Sequence, residues 1–120
     1  MTGPTILIVD DEYGILELLD AVFEDEGYRV ITAANGKGAL DWMAKEKPNL
    51  LITDMVMPVM DGAALIAAMA ANPDLANVPR VVMSSLPEAE IAARCPGRFA
   101  FVRKPFRIAE VIRLVAEALA

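Results

Sequence analysis

The sequence predicts an α/β protein built on a parallel sheet, and three observations carry that prediction. Five short apolar runs of strand length are spaced along the 120 residues. Between them lie segments with helical periodicity, long enough to cross from one parallel strand to the next. Such crossovers are right-handed and cover both faces of a sheet, which fits runs that are apolar throughout rather than alternating.

The first strand is Thr5-Ile6-Leu7-Ile8-Val9, which runs straight into Asp10-Asp11. Tyr13 to Glu26 follows as a helix with Ile15, Leu16, Leu18, Leu19, Val22 and Phe23 on its apolar face, and Gly27 stops it. Tyr28-Arg29-Val30-Ile31-Thr32 alternates more than the other runs and reads as an edge strand. Asn35-Gly36 marks a turn before a helix carrying Ala39, Leu40, Trp42 and Met43, which Pro48 ends. The third strand, Asn49 to Thr53, leads to Asp54 and a loop through Pro58 to Asp61-Gly62. Ala63 to Ala71 is an alanine-rich helix broken by Asn72-Pro73. Arg80 to Met83 and Phe99 to Val102 are the fourth and fifth strands. Between them only Glu88 to Arg94 has room for a helix, a short one, because Pro96-Gly97 closes it. A last helix from about Arg107 presents Ile108, Val111, Ile112, Val115 and Leu119 on one side.

An apolar content of 56% and a mean hydropathy of +0.43 exclude a disordered chain. No apolar stretch approaches the roughly 20 residues needed to span a bilayer, so membrane insertion is not expected. Met1-Thr2-Gly3-Pro4 leads directly into the first strand without room for a signal peptide, which predicts a cytoplasmic protein. A net charge of −6 without any Lys/Arg cluster argues against direct nucleic-acid binding. Cys95 is alone, which excludes an internal disulfide. The chain has no histidine, so any imidazole in its chemistry belongs to another molecule.

Residues leaving the carboxyl ends of neighbouring parallel strands meet in one crevice. Asp10, Asp11 and Asp54 would meet there, and three carboxylates forced together repel unless a cation sits among them. Mg²⁺ suits the set, because it takes hard oxygen ligands and keeps places for water and phosphate oxygens. Asp54 is then a candidate nucleophile toward phosphorus, forming an acyl phosphate. Lys104 supplies a compact positive charge for a phosphate oxygen, and Ser84, at the end of the fourth strand, supplies a hydroxyl. Each residue alone has an ordinary reading: acids favoured in a first helical turn, a turn or helix cap, a solvated lysine. Four strand ends that converge on one chemistry leave those separate readings with little force.

The blocks Ile6-Leu7-Ile8-Val9-Asp10-Asp11-Glu12, Asp54 through Gly62 (DMVMPVMDG), Val81-Val82-Met83-Ser84-Ser85 and Lys104-Pro105-Phe106 resemble the receiver domain of two-component response regulators over essentially the whole chain. The resemblance implies a doubly wound, flavodoxin-like sheet of five strands in the order 2-1-3-4-5, and one receiver domain over residues 1–120 with no effector domain. It implies a phosphorylation-dependent signalling switch in a two-component or phosphorelay system. Asp54 would accept a phosphoryl group from the histidine of a sensor kinase or phosphotransfer protein. Asp11 and Asp54 would bind Mg²⁺ directly, with Asp10 helping directly or through water and the Val56 carbonyl as a backbone ligand. Lys104 would contact the phosphoryl group, its bond to Pro105 being cis. Ser84 and Phe101 would be the switch pair that reports to a downstream effector protein, and the alanine-rich last helix leaves room for a homodimer.

The sequence departs from the family pattern in places. Serine replaces the commoner threonine at position 84, and phenylalanine stands where tyrosine is frequent at 101. Val56 and Leu86 are apolar and cannot orient an attacking water, which predicts slow self-dephosphorylation. Arg94-Cys95-Pro96-Gly97 replaces a more regular helix end, which alters the expected signalling surface of the fourth helix. Two other readings stand beside the switch. A degenerate receiver used only for dimerisation or docking has no need of all five of Asp10, Asp11, Asp54, Ser84 and Lys104. An aspartate-nucleophile phosphatase usually spaces its two acids as Asp-x-Asp after the first strand, whereas Asp10 and Asp11 are adjacent.

Overall fold

A computed structural model describes residues 3–120; Met1 and Thr2, the start of the lead-in read above, lie outside the described residues. Strands and helices alternate as β1 (Thr5–Val9), α1 (Tyr13–Asp25), β2 (Arg29–Ala33), α2 (Gly36–Lys45), β3 (Leu50–Asp54), α3 (Gly62–Ala70), β4 (Arg80–Ser84), α4 (Glu88–Arg94), β5 (Ala100–Arg103) and α5 (Ile108–Leu119). All four strand pairings are parallel, and the sheet order is β2-β1-β3-β4-β5. The expected edge strand is at an edge, and the short α4 spans the expected residues.

Burial explains the order. Ile6, Leu7, Ile8 and Val9, like Leu50, Leu51 and Ile52, are buried on both faces. Each such side chain contributes roughly 2 kcal/mol of transfer free energy, and only inner strands offer two covered faces. Period-two alternation sends Ile6, Ile8, Leu50, Ile52, Val81 and Met83 toward α1 and α5. Leu7, Val9 and Leu51 pack instead against Ala39 and Met43 of α2 and Leu65 and Met69 of α3. A smaller cluster of Met55, Ile66, Val82, Ile91 and Cys95 seats α4, with Phe101 against it.

Helix ends follow local chemistry. The Asn35 side chain accepts from the Gly38 N–H at 2.9 Å, and that of Asp61 accepts from Ala64 N–H at 2.8 Å, each capping a helix. Gly27 takes φ = 95° after α1, a conformation that glycine reaches without strain.

Two apolar positions differ from the sequence reading. Leu18 on α1 is 44% exposed and Trp42 on α2 is 43% exposed. The apolar stripe on each helix is wider than the face that the sheet covers, so the residue at its margin is left outside. Trp42 is partly shielded by the Lys45 ammonium, 5.7 Å from its ring centre.

Candidate functional site

Register builds the site. Val9 pairs with Thr53, so the next residues, Asp10 and Asp54, leave adjacent strands at the same level. Asp54 itself pairs with Met83, and Ser84 with Arg103, which brings Ser84 and Lys104 to the same edge of the sheet. The Lys104 N–H donates to the Ser84 carbonyl at 2.9 Å and continues that ladder into the loop. The Lys104–Pro105 bond is cis, as expected.

The three aspartates do converge: one carboxylate oxygen from each of Asp10, Asp11 and Asp54 lies within 4.8 Å of the others. Their environments differ. Asp10 is fully buried and Asp54 nearly so, whereas Asp11 is exposed. The adjacent pair Asp10-Asp11 is thus split, with one acid inside and one at the mouth. Asp10 Oδ1 accepts from the Glu12 N–H at 2.8 Å, and Asp54 Oδ1 accepts from the Met55 N–H at 2.8 Å. These backbone donors fix one oxygen of each carboxylate.

The other oxygens face Lys104. Its Nζ stands 3.0 Å from Asp10 Oδ2, 3.3 Å from Asp54 Oδ2 and 3.6 Å from Glu12 Oε1. Burial raises the Asp54 carboxyl above the usual carboxylate range; the Lys104 ammonium opposes that rise, and the Asp10 charge adds to it. For Lys104, burial favours the neutral amine, but the hydrogen bond to Asp10 and the charge of Asp54 outweigh it and the ammonium is raised. One cation among up to four carboxylates leaves the cluster with excess negative charge. Ser84 is buried, and its Oγ accepts from the Leu86 N–H at 3.0 Å. Phe101 is half-buried and pairs with Val82, two rungs below Ser84 on the β4–β5 ladder. Val56 is exposed on the loop after β3.

Two parts of the site escaped the sequence reading. Glu12 belongs to the carboxylates around Lys104, a role hinted at only by its place after Asp10-Asp11. Gly62 abuts the backbone of Asp54: its N–H donates to the Met55 carbonyl at 2.8 Å, and a Cβ there would collide with the Asp54 carbonyl oxygen. Asp61-Gly62 reads in the sequence as the end of a loop and of the block resembling the family, with no sign of this contact to Asp54.

Residues 6–116 match the family model described as the response regulator receiver domain. The chain belongs to the response regulator receiver family. It is 39% identical over 113 residues to the sporulation initiation phosphotransferase F of Bacillus subtilis (strain 168), covering 92% of this receiver and 90% of that protein. It is 35% identical to the transcriptional regulatory protein GlrR of Escherichia coli (strain K12), covering 95% of this receiver but 26% of GlrR. Among solved structures, the chemotaxis response regulator CheY4 of Vibrio cholerae superposes with a TM-score of 0.91 at 27% identity, covering 98% of this receiver and 100% of that chain. The receiver is therefore a phosphorylation-dependent signalling switch of the two-component and phosphorelay class, and not an enzyme of the conventional kind. These matches favour neither the docking-module nor the phosphatase reading.

Proposed function

We propose that Asp54 is the phosphoacceptor and that this chain catalyses its own phosphorylation from a phosphohistidine donor. The observation that carries the reading is the division of labour at Asp54: the Met55 N–H holds Oδ1, while Oδ2 faces the Lys104 ammonium in the cleft. Oδ2 attacks phosphorus, an O–P bond forms, the N–P bond of the donor breaks, and its electron pair returns to the imidazole nitrogen. Lys104 then exchanges carboxylate partners for a phosphoryl oxygen. Ser84 leaves the Leu86 N–H to donate to the same group, and Phe101 moves into the space it vacates.

The donor set fits Mg²⁺: three hard carboxylates converge with more negative charge than Lys104 neutralises. Asp10, Asp11, Asp54 and the Val56 carbonyl would hold it, and when bound it neutralises charge on the transferring phosphoryl group. Partners on this reading are a sensor histidine kinase or phosphotransfer protein and a downstream effector, with a homodimer through α5 open to the chain. Residues 1–120 act as one receiver unit, in the cytoplasm with its kinase; among the described residues no helix is long and apolar enough to cross a membrane. Slow loss of the phosphoryl group follows from apolar Val56 and Leu86.

The deciding experiment is incubation with a small phosphodonor and Mg²⁺, read by intact mass. Wild type is expected to gain one phosphoryl group and Asp54→Ala none. Equal gain by Asp54→Ala overturns the assignment.

A further inference from the structure

At the opposite pole of the sheet, β4 begins with a charged residue in an unusual setting. Arg80 is only 7% exposed, and among the described residues it has no carboxylate within ion-pair distance. Its Nη2 donates to the Ala76 carbonyl at 3.2 Å, while its buried Nε has no hydrogen-bond partner. An arginine stays charged in proteins, so burial in this state is costly unless an anion answers it. The neighbouring thiol does not: burial pushes Cys95 up, away from thiolate.

Arg80 also lines a cavity of about 340 Å³, together with residues 76–79, Gly97 and Arg98. A second, smaller hollow on the same side is also lined by both arginines, with Phe99, Ala100 and Ala118. Gly97 makes the approach possible: it takes φ = 82°, and a Cβ there would stand 3.3 Å from Arg80 Nη1. The cavity lining carries two arginines and no acid, on a chain of net charge −6.

We propose that this notch, between residues 76–80 and Gly97-Arg98, is a binding site for a small oxyanion bearing a carboxylate or phosphate group, held by Arg80 from within and Arg98 from the rim. The fork of Arg80 supplies the geometry for such a group. The ligand would also brace the loop from α4 to β5, because both walls of the notch would contact it.

The test is an amide and arginine side-chain NMR titration of the full chain in metal-stripped buffer at fixed ionic strength. Inorganic phosphate and citrate are added in parallel. Saturable shifts are expected at the Arg80 Nε–H and at the Gly97 and Arg98 amides. Phosphate alone, or citrate alone, producing them assigns the group. Occupancy at the Asp54 end instead moves Met55 and Ser84. Arg80→Met is expected to abolish the Gly97 and Arg98 shifts, and Arg98→Gln to weaken binding roughly tenfold, as loss of one charge-assisted contact does. Arg98 is exposed, so its variant carries the test if Arg80→Met does not fold. Unmoved resonances with both anions, or unchanged affinity in the variants, overturn the proposal.

Discussion

Lys104 Nζ stands 3.0 Å from Asp10 Oδ2, joining residues 94 apart in sequence. The pair is nearly buried, so removing the ammonium strands a carboxylate without solvent. Lys104→Met is expected to lower unfolding free energy by about 3 kcal/mol in metal-free protein, as breakage of buried pairs does. Urea melts check this. Added Mg²⁺ is expected to restore part of the loss on the reading that the aspartates hold it; a mutant as stable as wild type contradicts the pairing.

Asp54 gives a signed pH dependence. Its folded carboxyl lies above the ordinary aspartate value of 3.8, chiefly because of burial. The folded state therefore holds its proton more tightly, and the associated stabilisation is complete below 3.8 and lost as pH rises through the folded value. In metal-free protein, Asp54→Asn is expected to gain stability relative to wild type as pH rises through that window. Thermal melts of both proteins on one pH series measure it.

Gly62→Ala forces a methyl group onto the Asp54 carbonyl. Overpacking of this kind costs about 1–3 kcal/mol, and here the displaced backbone is that of the proposed acceptor. Phosphorylation by a small donor is expected to slow in the same mutant, measured by mass against time.

Val59 is the one non-glycine residue with positive φ among the described residues, at 69°, and Met60 N–H closes a tight turn around it onto the Pro58 carbonyl at 2.8 Å. A branched side chain is strained there. Val59→Gly is expected to raise stability by about 1 kcal/mol, relief of strain exceeding the added freedom of the unfolded chain. Urea midpoints decide the sign.

Val56 is exposed beside the proposed acceptor and offers no polar side-chain group. Val56→Asn is expected to shorten the lifetime of the phosphorylated protein severalfold by orienting water. The decay of the phosphorylated mass after donor removal measures it.

The strands and helices were legible because inner parallel strands write their burial as uninterrupted apolar runs, as at Leu50-Leu51-Ile52. The three converging aspartates and Lys104 were legible for a related reason, since each stands one or two residues past the end of such a run. What stayed hidden depends on distances across the chain. The inward and outward turns of Asp10 and Asp11, the reach of Glu12 to Lys104 and the hold of the Leu86 N–H on Ser84 are fixed by register and loop path. Leu18 and Trp42 were misplaced because periodicity shows the width of an apolar stripe but not how much of it the sheet covers. Arg80 shows the converse limit, since nothing in Val78-Pro79-Arg80-Val81 announces a buried charge.

The start of α2 carries no chemistry, yet its Gly36 N–H donates to the Met60 carbonyl at 2.9 Å, and a Cβ at that position would press within 2.7 Å of Met60 Cγ. The loop that follows Asp54 is thus wedged against a neighbouring helix at a single atom's clearance. Position 36 works as an adjusting screw: a larger residue there pushes on the loop after Asp54 from outside, detuning the site without altering any group inside it.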